Sequence, residues 1–319
     1  MYRKIVILFF LILAFAGGLI AEEAAFDKAL TATPPYITEA AFIGTFDKIK
    51  EYGNIVLIQE GPDVKNFESF DGQKKLAEER GLGLYMNIDP LVGIDRSKAL
   101  GNFGNPSYRA FFKDYVRQIV RRYHPKYLGI GSEVNIYYDA NPKRFEDFVS
   151  LYKESYEAAK AEDPNVKVFT TFQYEILQNL FRSNKRGLHW DLINKFPQDY
   201  IAISAHPSGL FQTPAHMPDD YYSQIRKYSD LPLVIAESSW PAENNPEGTW
   251  HGSPENEAAF INRTKELTKD MNLKLWVWWF VYDVKGSGMG FPDWSQTSGL
   301  LKRDGTPKPV LEAWKNLTK

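Results

Sequence analysis

The sequence predicts an α/β protein in which eight parallel strands, each followed by a helix, close into a single (β/α)8 TIM barrel. Along the chain, short apolar runs alternate with amphipathic stretches, a pattern typical of a parallel sheet covered by helices. Eight such units within 319 residues match a closed barrel with loop insertions. A doubly wound open sheet is the alternative, but the chain has no GxGxxG fingerprint between a strand and a helix.

Eight segments have the length and apolar content of buried parallel strands. They cover residues 29–33, 54–59, 82–89, 127–133, 166–172, 200–204, 231–237 and 273–282. Between them, apolar side chains at helical spacing, such as Phe112, Tyr115 and Ile119, predict amphipathic helices. These helices cover residues 37–52, 72–81, 107–123, 142–161, 218–228, 256–271 and 309–317, with a further helical stretch before residue 200. Gly81 ends the second helix, and Pro90 follows the third strand.

The N-terminus has the pattern of a secretory signal. Arg3 and Lys4 precede an unbroken apolar run, and Ala21 supplies a small residue before an acidic stretch. We therefore assign the first 21 residues to a signal peptide and residues 22–319 to one barrel domain, which predicts a secreted or periplasmic protein. The segment 5–21 is at the short limit for a membrane span, so an uncleaved N-terminal anchor is the alternative.

Composition excludes several classes of function. The formal net charge of −2 gives no electrostatic basis for binding nucleic acid. The absence of Cys excludes disulfides, thiolate zinc sites and Cys nucleophiles. The five His residues form no HExxH motif, and no GxSxG nucleophile elbow occurs. We therefore predict no cofactor and no metal, and we expect a monomer.

Two glutamates occupy matching local settings. Glu133 ends the apolar run of the fourth predicted strand, and Glu237 ends that of the seventh. In a closed barrel both strand ends face the same mouth, where active sites of this fold lie. A Glu at a strand end can also be a salt-bridge partner or a helix cap. Two at one mouth, however, are what retaining glycoside hydrolysis needs, one as acid/base and one as nucleophile.

This arrangement resembles glycoside hydrolase clan A, the (β/α)8 retaining glycosidases. The resemblance implies that Glu133 is the acid/base and Glu237 the nucleophile. Within the clan, three stretches resemble the arabinogalactan endo-β-1,4-galactanases of glycoside hydrolase family 53. They are residues 234–241, 203–208 and 298–309, the last being a tail common across the clan. The implied substrate is a β-linked polysaccharide, with β-1,4-galactan as the first candidate.

The resemblance also implies an Asn directly before the acid/base to bind the sugar 2-hydroxyl, but this chain has Ser132 there, with Asn135 the nearest Asn. Polar and aromatic residues near the predicted strand ends complete the candidate substrate site. They are Ser132, Asn135, His206, Trp240, Trp279, Tyr282, Asn87 and Asp89. On the last strand, alternation directs Trp276 and Trp278 to one face and Trp279 to the other.

Three loop residues, Trp250, Asp293 and Trp294, are predicted to form outer subsites. The sequence therefore predicts an exported retaining β-glycosidase. Two alternatives stay open. The same fold and mechanism could act on mannan or glucan, and the departure at Ser132 favours a carbohydrate-binding barrel without catalysis.

Overall fold

The structure, a computed structural model, describes residues 26–93, 95–180, 188–245 and 247–318. The predicted signal peptide lies outside these residues. The strands are β1 (Asp27–Thr31), β2 (Ile55–Glu60), β3 (Gly83–Ile88), β4 (Leu91–Val92), β5 (Asp95–Ala99), β6 (Tyr127–Ile130), β7 (Lys167–Phe169), β8 (Thr171–Gln173), β9 (Ile201–Ala205), β10 (Leu233–Ser238), β11 (Leu273–Trp278), β12 (Phe280–Tyr282) and β13 (Gly299–Leu301).

The α-helices are α1 (Glu39–Tyr52), α2 (Asn66–Glu79), α3 (Pro106–Tyr123), α4 (Val134–Ala140), α5 (Pro142–Glu162), α6 (Tyr174–Leu177), α7 (Pro254–Thr268) and α8 (Pro309–Lys315). Short 3-10 helices cover Trp190–Lys195, Pro207–Gly209, Pro214–His216, Ser223–Lys227, Asp293–Ser295 and Asn316–Thr318. None of the helices in the described part of the chain is both long and apolar enough to cross a bilayer.

Nine strands form one parallel sheet in the order β7-β6-β3-β2-β1-β11-β10-β9-β8. Its two end strands, β7 and β8, are separated only by Thr170 and are halves of one chain segment. The sheet therefore closes on itself through that residue, and the eight predicted strands of a (β/α)8 barrel are confirmed.

Two apolar layers fill the molecule. Inside the barrel, Tyr85, Tyr127 and Phe169 form a buried cluster with small and branched residues of the other strands. Outside, a larger cluster packs the opposite strand faces against the helices and includes Trp276, Trp278 and Trp314. The alternation predicted for the Trp residues of β11 is therefore confirmed, because Trp276 and Trp278 face the helices.

Several predicted elements need correction. The helix predicted over residues 218–228 contains only a short 3-10 helix, Ser223–Lys227. The helix predicted from residue 72 begins at Asn66, one turn and a half earlier. The strand predicted over 273–282 is interrupted at Trp279, and β12 pairs with β13 outside the barrel. The β4–β5 hairpin and α4 were not predicted, because both lie in connections that carry little periodicity of their own.

Candidate active site

A cleft of about 950 Å³ opens at the C-terminal ends of the barrel strands. Its walls come mainly from the connections after β1, β2 and β3 and from the segment between β12 and β13. Glu133, Glu237 and His206 lie in this cleft, as the sequence predicts, together with Asp89 and Trp279. The structure thus brings the two candidate carboxylates to one opening.

Glu133 is held where the chain leaves β6 and turns into α4. Gly131 and Glu133 both have positive φ, 84° and 51°, and Glu133 is the N-cap residue of α4. A non-glycine residue in this left-handed region is uncommon and is found mainly where surrounding structure fixes it. The Ser204 hydroxyl donates a hydrogen bond of 2.6 Å to Glu133 Oε1. On the other oxygen, Arg96 Nε lies 3.8 Å from Oε2.

The electrostatic surroundings of Glu133 favour its protonated form. Burial raises the pKa of the Glu133 carboxyl, and the nearby charge of Glu237 raises it further. Arg96, the hydrogen bond from Ser204 and the charge of His206 lower it, but they do not cancel the rise. Two carboxyl groups in mutual repulsion are a common way to keep one of them protonated near neutral pH.

Glu237 reaches the mouth through an irregularity in β10. The register with β9 shifts between Ile235 and Glu237. Ala236 belongs to the apolar cluster inside the barrel, and Glu237 also lines the cleft, so two consecutive residues face inward. Ile235 belongs to the outer cluster. The bulge is the local feature that turns Glu237 toward the cleft.

His206 orients Glu237. Its Nε2 lies 3.0 Å from Glu237 Oε1, and its Nδ1 lies 2.9 Å from Ser239 Oγ. Burial lowers the pKa of His206, but the hydrogen bond to Glu237 and the charges of Glu237, Glu133 and Glu175 raise it, and the net shift is upward. A protonated imidazole donates from both ring nitrogens, which fits both contacts.

The fully buried side chain of Glu175 holds the backbone of His206 on the side away from the cleft. Glu175 Oε1 accepts hydrogen bonds from the backbone N–H of His206 at 3.1 Å and from the Tyr221 hydroxyl at 2.6 Å. Burial raises the pKa of Glu175, and the hydrogen bond from Tyr221 and the charge of His206 lower it without cancelling the rise. Glu175 does not line the cleft. It therefore fixes the backbone position of His206 and does not contact the space in front of Glu237.

Ser132 and Asn87 form a buried polar pair next to Glu133. Ser132 Oγ accepts hydrogen bonds from Asn87 Nδ2 at 2.5 Å and from Gln59 Nε2 at 3.3 Å. Neither Ser132 nor Asn87 is among the residues that line the cleft, whereas Gln59 is. Gly129 has a packing role here, because a Cβ at that position would lie 2.3 Å from Asn87 Oδ1.

Aromatic rings form one wall of the cleft. Trp279 and Trp294 have ring centroids 5.5 Å apart, and Phe291 packs edge-on against Trp279. Trp294 also packs on His206, with centroids 4.7 Å apart. Indole and phenyl faces beside polar groups are suited to an amphipathic ligand such as a sugar ring.

Five candidate contacts need correction, because the side chains do not line the cleft: Ser132 and Asn87, described above, and Asn135, Trp240 and Tyr282. Asn135 is fully buried, and its amide makes two 2.9 Å hydrogen bonds with the backbone of Gln173. Trp240 is fully buried and packs on Phe260 in the outer layer. Tyr282 packs on the outer core from β12.

The three candidate outer-subsite residues differ in position. Trp294 lines the cleft, but Trp250 and Asp293 do not. The Trp250 indole donates to the Glu243 carbonyl oxygen at 3.1 Å, and Asp293 accepts from Gln296 at 2.9 Å. Across the described residues, no group of three or more His, Asp or Glu side chains could hold a metal ion.

Sequence reasoning missed three polar residues of the site: Arg96, Gln59 and Ser204. Gln59 and Ser204 could have been found, because each lies near the C-terminal end of a predicted strand on the inward-facing alternation. Arg96 lies on β5, in a connection with no barrel periodicity, so no local signal indicated it.

Comparison with known proteins establishes the fold. No family model matches the sequence, and no curated protein does. A GH5_18 protein from Bifidobacterium longum subsp. longum, in complex with Manβ1-4GlcNAc, superimposes with a TM-score of 0.71 at 17% identity, covering 92% of this chain and 78% of that one. Xylanase 10B from Thermotoga maritima gives 0.63 at 15% identity, covering 93% and 96%.

A third similar structure is an active-site mutant of the β-1,3-glucanosyltransferase of Rhizomucor miehei in complex with laminaritriose. Its TM-score is 0.61 at 19% identity, with 90% of this chain and 96% of that chain covered. At these identities the likeness defines the class of fold, the (β/α)8 barrel.

Proposed function

We propose that this chain is a retaining glycoside hydrolase of β-linked glycans, with Glu133 as acid/base and Glu237 as nucleophile. The observation that carries the proposal is the unequal environment of two carboxyl groups in one cleft. Burial and the charge of Glu237 raise the pKa of Glu133, while His206 donates a hydrogen bond to Glu237. A protonated acid beside an oriented carboxylate is what the first step of retaining hydrolysis requires.

The reaction would proceed by double displacement. Glu237 attacks the anomeric carbon and forms a glycosyl ester, while Glu133 gives its proton to the departing glycosidic oxygen. Glu133 is then a carboxylate and takes a proton from water as that water attacks the ester. The ester C–O bond breaks, Glu237 is released as carboxylate, and Glu133 is protonated again.

The substrate is proposed from the cleft and from the comparisons. An open cleft with an aromatic wall fits a polysaccharide or oligosaccharide. Two of the similar structures are complexes with Manβ1-4GlcNAc and with laminaritriose, which supports carbohydrate as the ligand class. The resemblance of residues 234–241 to family 53 makes β-1,4-galactan the first polysaccharide to test, with mannan and glucan as alternatives. Export by the N-terminal signal would place the enzyme with such polymers.

The test is hydrolysis of β-1,4-galactan, β-mannan, β-glucan and aryl β-glycosides by the wild type, Glu133→Gln and Glu237→Gln. We expect Glu237→Gln to lose essentially all turnover, because the ester cannot form. Glu133→Gln should lose most activity on polysaccharides but keep the ester-forming step on aryl glycosides whose leaving group needs no proton.

Covalent capture checks the nucleophile directly. An activated 2-deoxy-2-fluoro glycoside of the sugar that is cleaved should add one glycosyl group to the intact protein, and peptide mapping should locate it on Glu237. Glu243→Gln, which changes an exposed carboxylate, is the matched control and should be labelled like the wild type. Labelling at another residue, or inversion of the anomeric product, would contradict the proposal.

A carbohydrate-binding barrel without catalysis is the second candidate. It is favoured by Ser132, whose hydroxyl is already bonded to Asn87 and Gln59 and is buried beside Glu133. Titration calorimetry with the same oligosaccharides separates the two. Binding by the wild type, with equal and negligible product release from the wild type and Glu237→Gln, would support the binding protein.

A further inference from the structure

We propose that Arg96 is a positioning residue for Glu133: its guanidinium stabilises the carboxylate form of Glu133 when Glu237 is esterified. This inference rests on the proposed double-displacement function. Arg96 lies outside the eight barrel strands, on the β4–β5 hairpin after β3. The hairpin would therefore act in the second half of the reaction, the hydrolysis of the ester.

The geometry places Arg96 between two carboxylates. Its Nη1 donates a hydrogen bond to Asp89 Oδ2, and its Nε lies 3.8 Å from Glu133 Oε2. Within the described residues, Nε is buried and has no hydrogen-bond partner. Because an unpaired buried donor is costly, this N–H is available for an oxygen of Glu133 that moves about 1 Å closer, to hydrogen-bond distance.

The hairpin fixes the guanidinium. The Leu100 N–H donates to the Pro90 carbonyl at 2.8 Å and closes the base of the hairpin. The Asn141 amide donates to the Ser97 carbonyl at 2.6 Å and ties β5 to the start of α5. The Arg96 side chain is only 12% exposed, so its charge acts on Glu133 with little screening by solvent.

The negative charge that opposes ionisation of Glu133 is lost when Glu237 becomes an ester. Facing Glu133 are Arg96 from the hairpin, Glu237 from β10, His206 after β9 and the Ser204 hydroxyl from β9. Before the ester forms, the negative charge is on Glu237 and Glu133 is protonated. In the ester, Glu237 is neutral and the negative charge is on Glu133. Arg96 therefore stabilises the carboxylate of Glu133 in the ester, the state in which Glu133 must act as base.

The test compares Arg96→Met, Arg96→Lys and the wild type on an aryl glycoside with an activated leaving group. Because that leaving group needs no acid, kcat reports ester hydrolysis. At a pH on the acidic limb of the profile, we expect kcat of Arg96→Met to fall on the order of tenfold, a typical coupling between contacting charged groups. Added azide, which attacks the ester without needing a base, should restore turnover in Arg96→Met and leave the wild type nearly unchanged.

The pH profiles supply a readout that a purely structural role would not move. Loss of the positive charge should move the acidic limb of kcat, which requires ionised Glu133 in the ester, to higher pH. On a polysaccharide, whose leaving group needs a proton, the alkaline limb of kcat/KM requires protonated Glu133 and should also move to higher pH. Arg96→Lys keeps the charge and should lie between the two. Arg121→Met, which removes an exposed arginine paired with Glu162, is the control and should match the wild type.

Folding is controlled separately, because Arg96→Met leaves the buried Asp89 without its partner. The double variant Asp89→Asn/Arg96→Met removes both charges and should show the same azide rescue and the same limb shifts. Unchanged kcat and unchanged pH limbs in Arg96→Met and the double variant would overturn the inference while leaving the proposed function in place. A wild type that releases no sugar and takes no covalent label would overturn both.

Discussion

At the scale of the residue, Glu133 combines burial, a left-handed backbone and repulsion from a second carboxylate. Each feature costs free energy in the folded state, and the raised pKa reports the electrostatic part. A carboxyl whose pKa is raised on folding binds its proton more tightly in the folded than in the unfolded protein. Its ionisation therefore destabilises the fold as the pH rises from the unfolded pKa through the folded one.

The consequence is a gain in stability when Glu133 is neutralised. Glu133→Gln should have a higher Tm than the wild type at pH 7, even as it loses activity. The difference should shrink as the pH falls from the raised folded pKa toward about 4.5 and be absent below it, where Glu133 is protonated in both states. Differential scanning calorimetry across this range measures it. Glu312→Gln, at an exposed position, should show no such gain, and an equal or lower Tm for Glu133→Gln at pH 7 would contradict the argument.

At the scale of the element, a buried lysine joins segments that close the cleft wall. Lys308 Nζ donates to Glu257 Oε1 at 3.0 Å, to Asp283 Oδ1 at 2.8 Å and to the Thr297 carbonyl at 2.8 Å. These partners belong to α7, to the end of β12 and to the approach to β13. The side chains of Lys308 and Glu257 are 4% and 0% exposed, so the pair is shielded from solvent. The connection between β12 and β13, which carries Trp294, is held at both ends by this one cation.

Removing that cation should destabilise the fold in a pH-dependent way. Lys308→Met leaves buried carboxylates uncompensated and should lower the free energy of unfolding by about 3–5 kcal/mol at pH 7. Burial raises the pKa of Glu257, whereas the charge of Lys308 lowers it. Loss of Lys308 should therefore raise the pKa of Glu257 further. Because the protonated carboxyl costs less to bury, the deficit should shrink as the pH falls toward 5.

Urea unfolding of Lys308→Met at the two pH values measures this effect. Lys285→Met removes a lysine from an exposed pair with Glu243 and should change stability by less than about 1 kcal/mol. A deficit in Lys308→Met that grows on acidification would refute the assignment of the effect to the buried carboxylates.

At the scale of the whole molecule, α8 covers the outer face of the barrel where its first strand, β1, pairs with its last, β11. Trp314 of α8 packs on Trp276 and Trp278 of β11, with ring centroids 5.7 and 6.3 Å away. Its indole donates to the Tyr52 carbonyl at 2.8 Å, and its own carbonyl accepts from Lys28 at 2.8 Å. One side chain therefore joins α8 to α1 and β11, and its backbone joins α8 to β1.

Truncation of that side chain should weaken the entire barrel. Trp314→Ala should cost about 3–5 kcal/mol, because it leaves a large cavity and an unpaired Tyr52 carbonyl. Chemical denaturation monitored by circular dichroism checks this. Trp250→Ala, in a loop outside the core, is the matched control and should unfold near the wild-type midpoint. Equal midpoints for the two variants would show that α8 does not contribute to closure.

Much of the fold and the proposed catalytic pair could be predicted because both depend on local pattern. Apolar runs of strand length, separated by amphipathic helices, determined eight parallel strands. A polar residue that ends such a run then lies at the level of the barrel mouth. The same reasoning placed Glu133, Glu237 and His206 correctly in one cleft. It placed Trp240 and Asn135 wrongly, because distance along the chain from a catalytic residue does not determine which way a side chain points.

What the sequence by itself determined was therefore the alternation of elements and the ends of the strands, since periodicity and turn residues act over a few positions. Only the tertiary structure decided which groups surround the two carboxylates. The bulge in β10 turns Glu237 inward, β9 brings Ser204 to Glu133, and the β4–β5 hairpin brings Arg96. These contacts join residues far apart in the chain, and they depend on strand register and on hairpin packing, which no local pattern encodes.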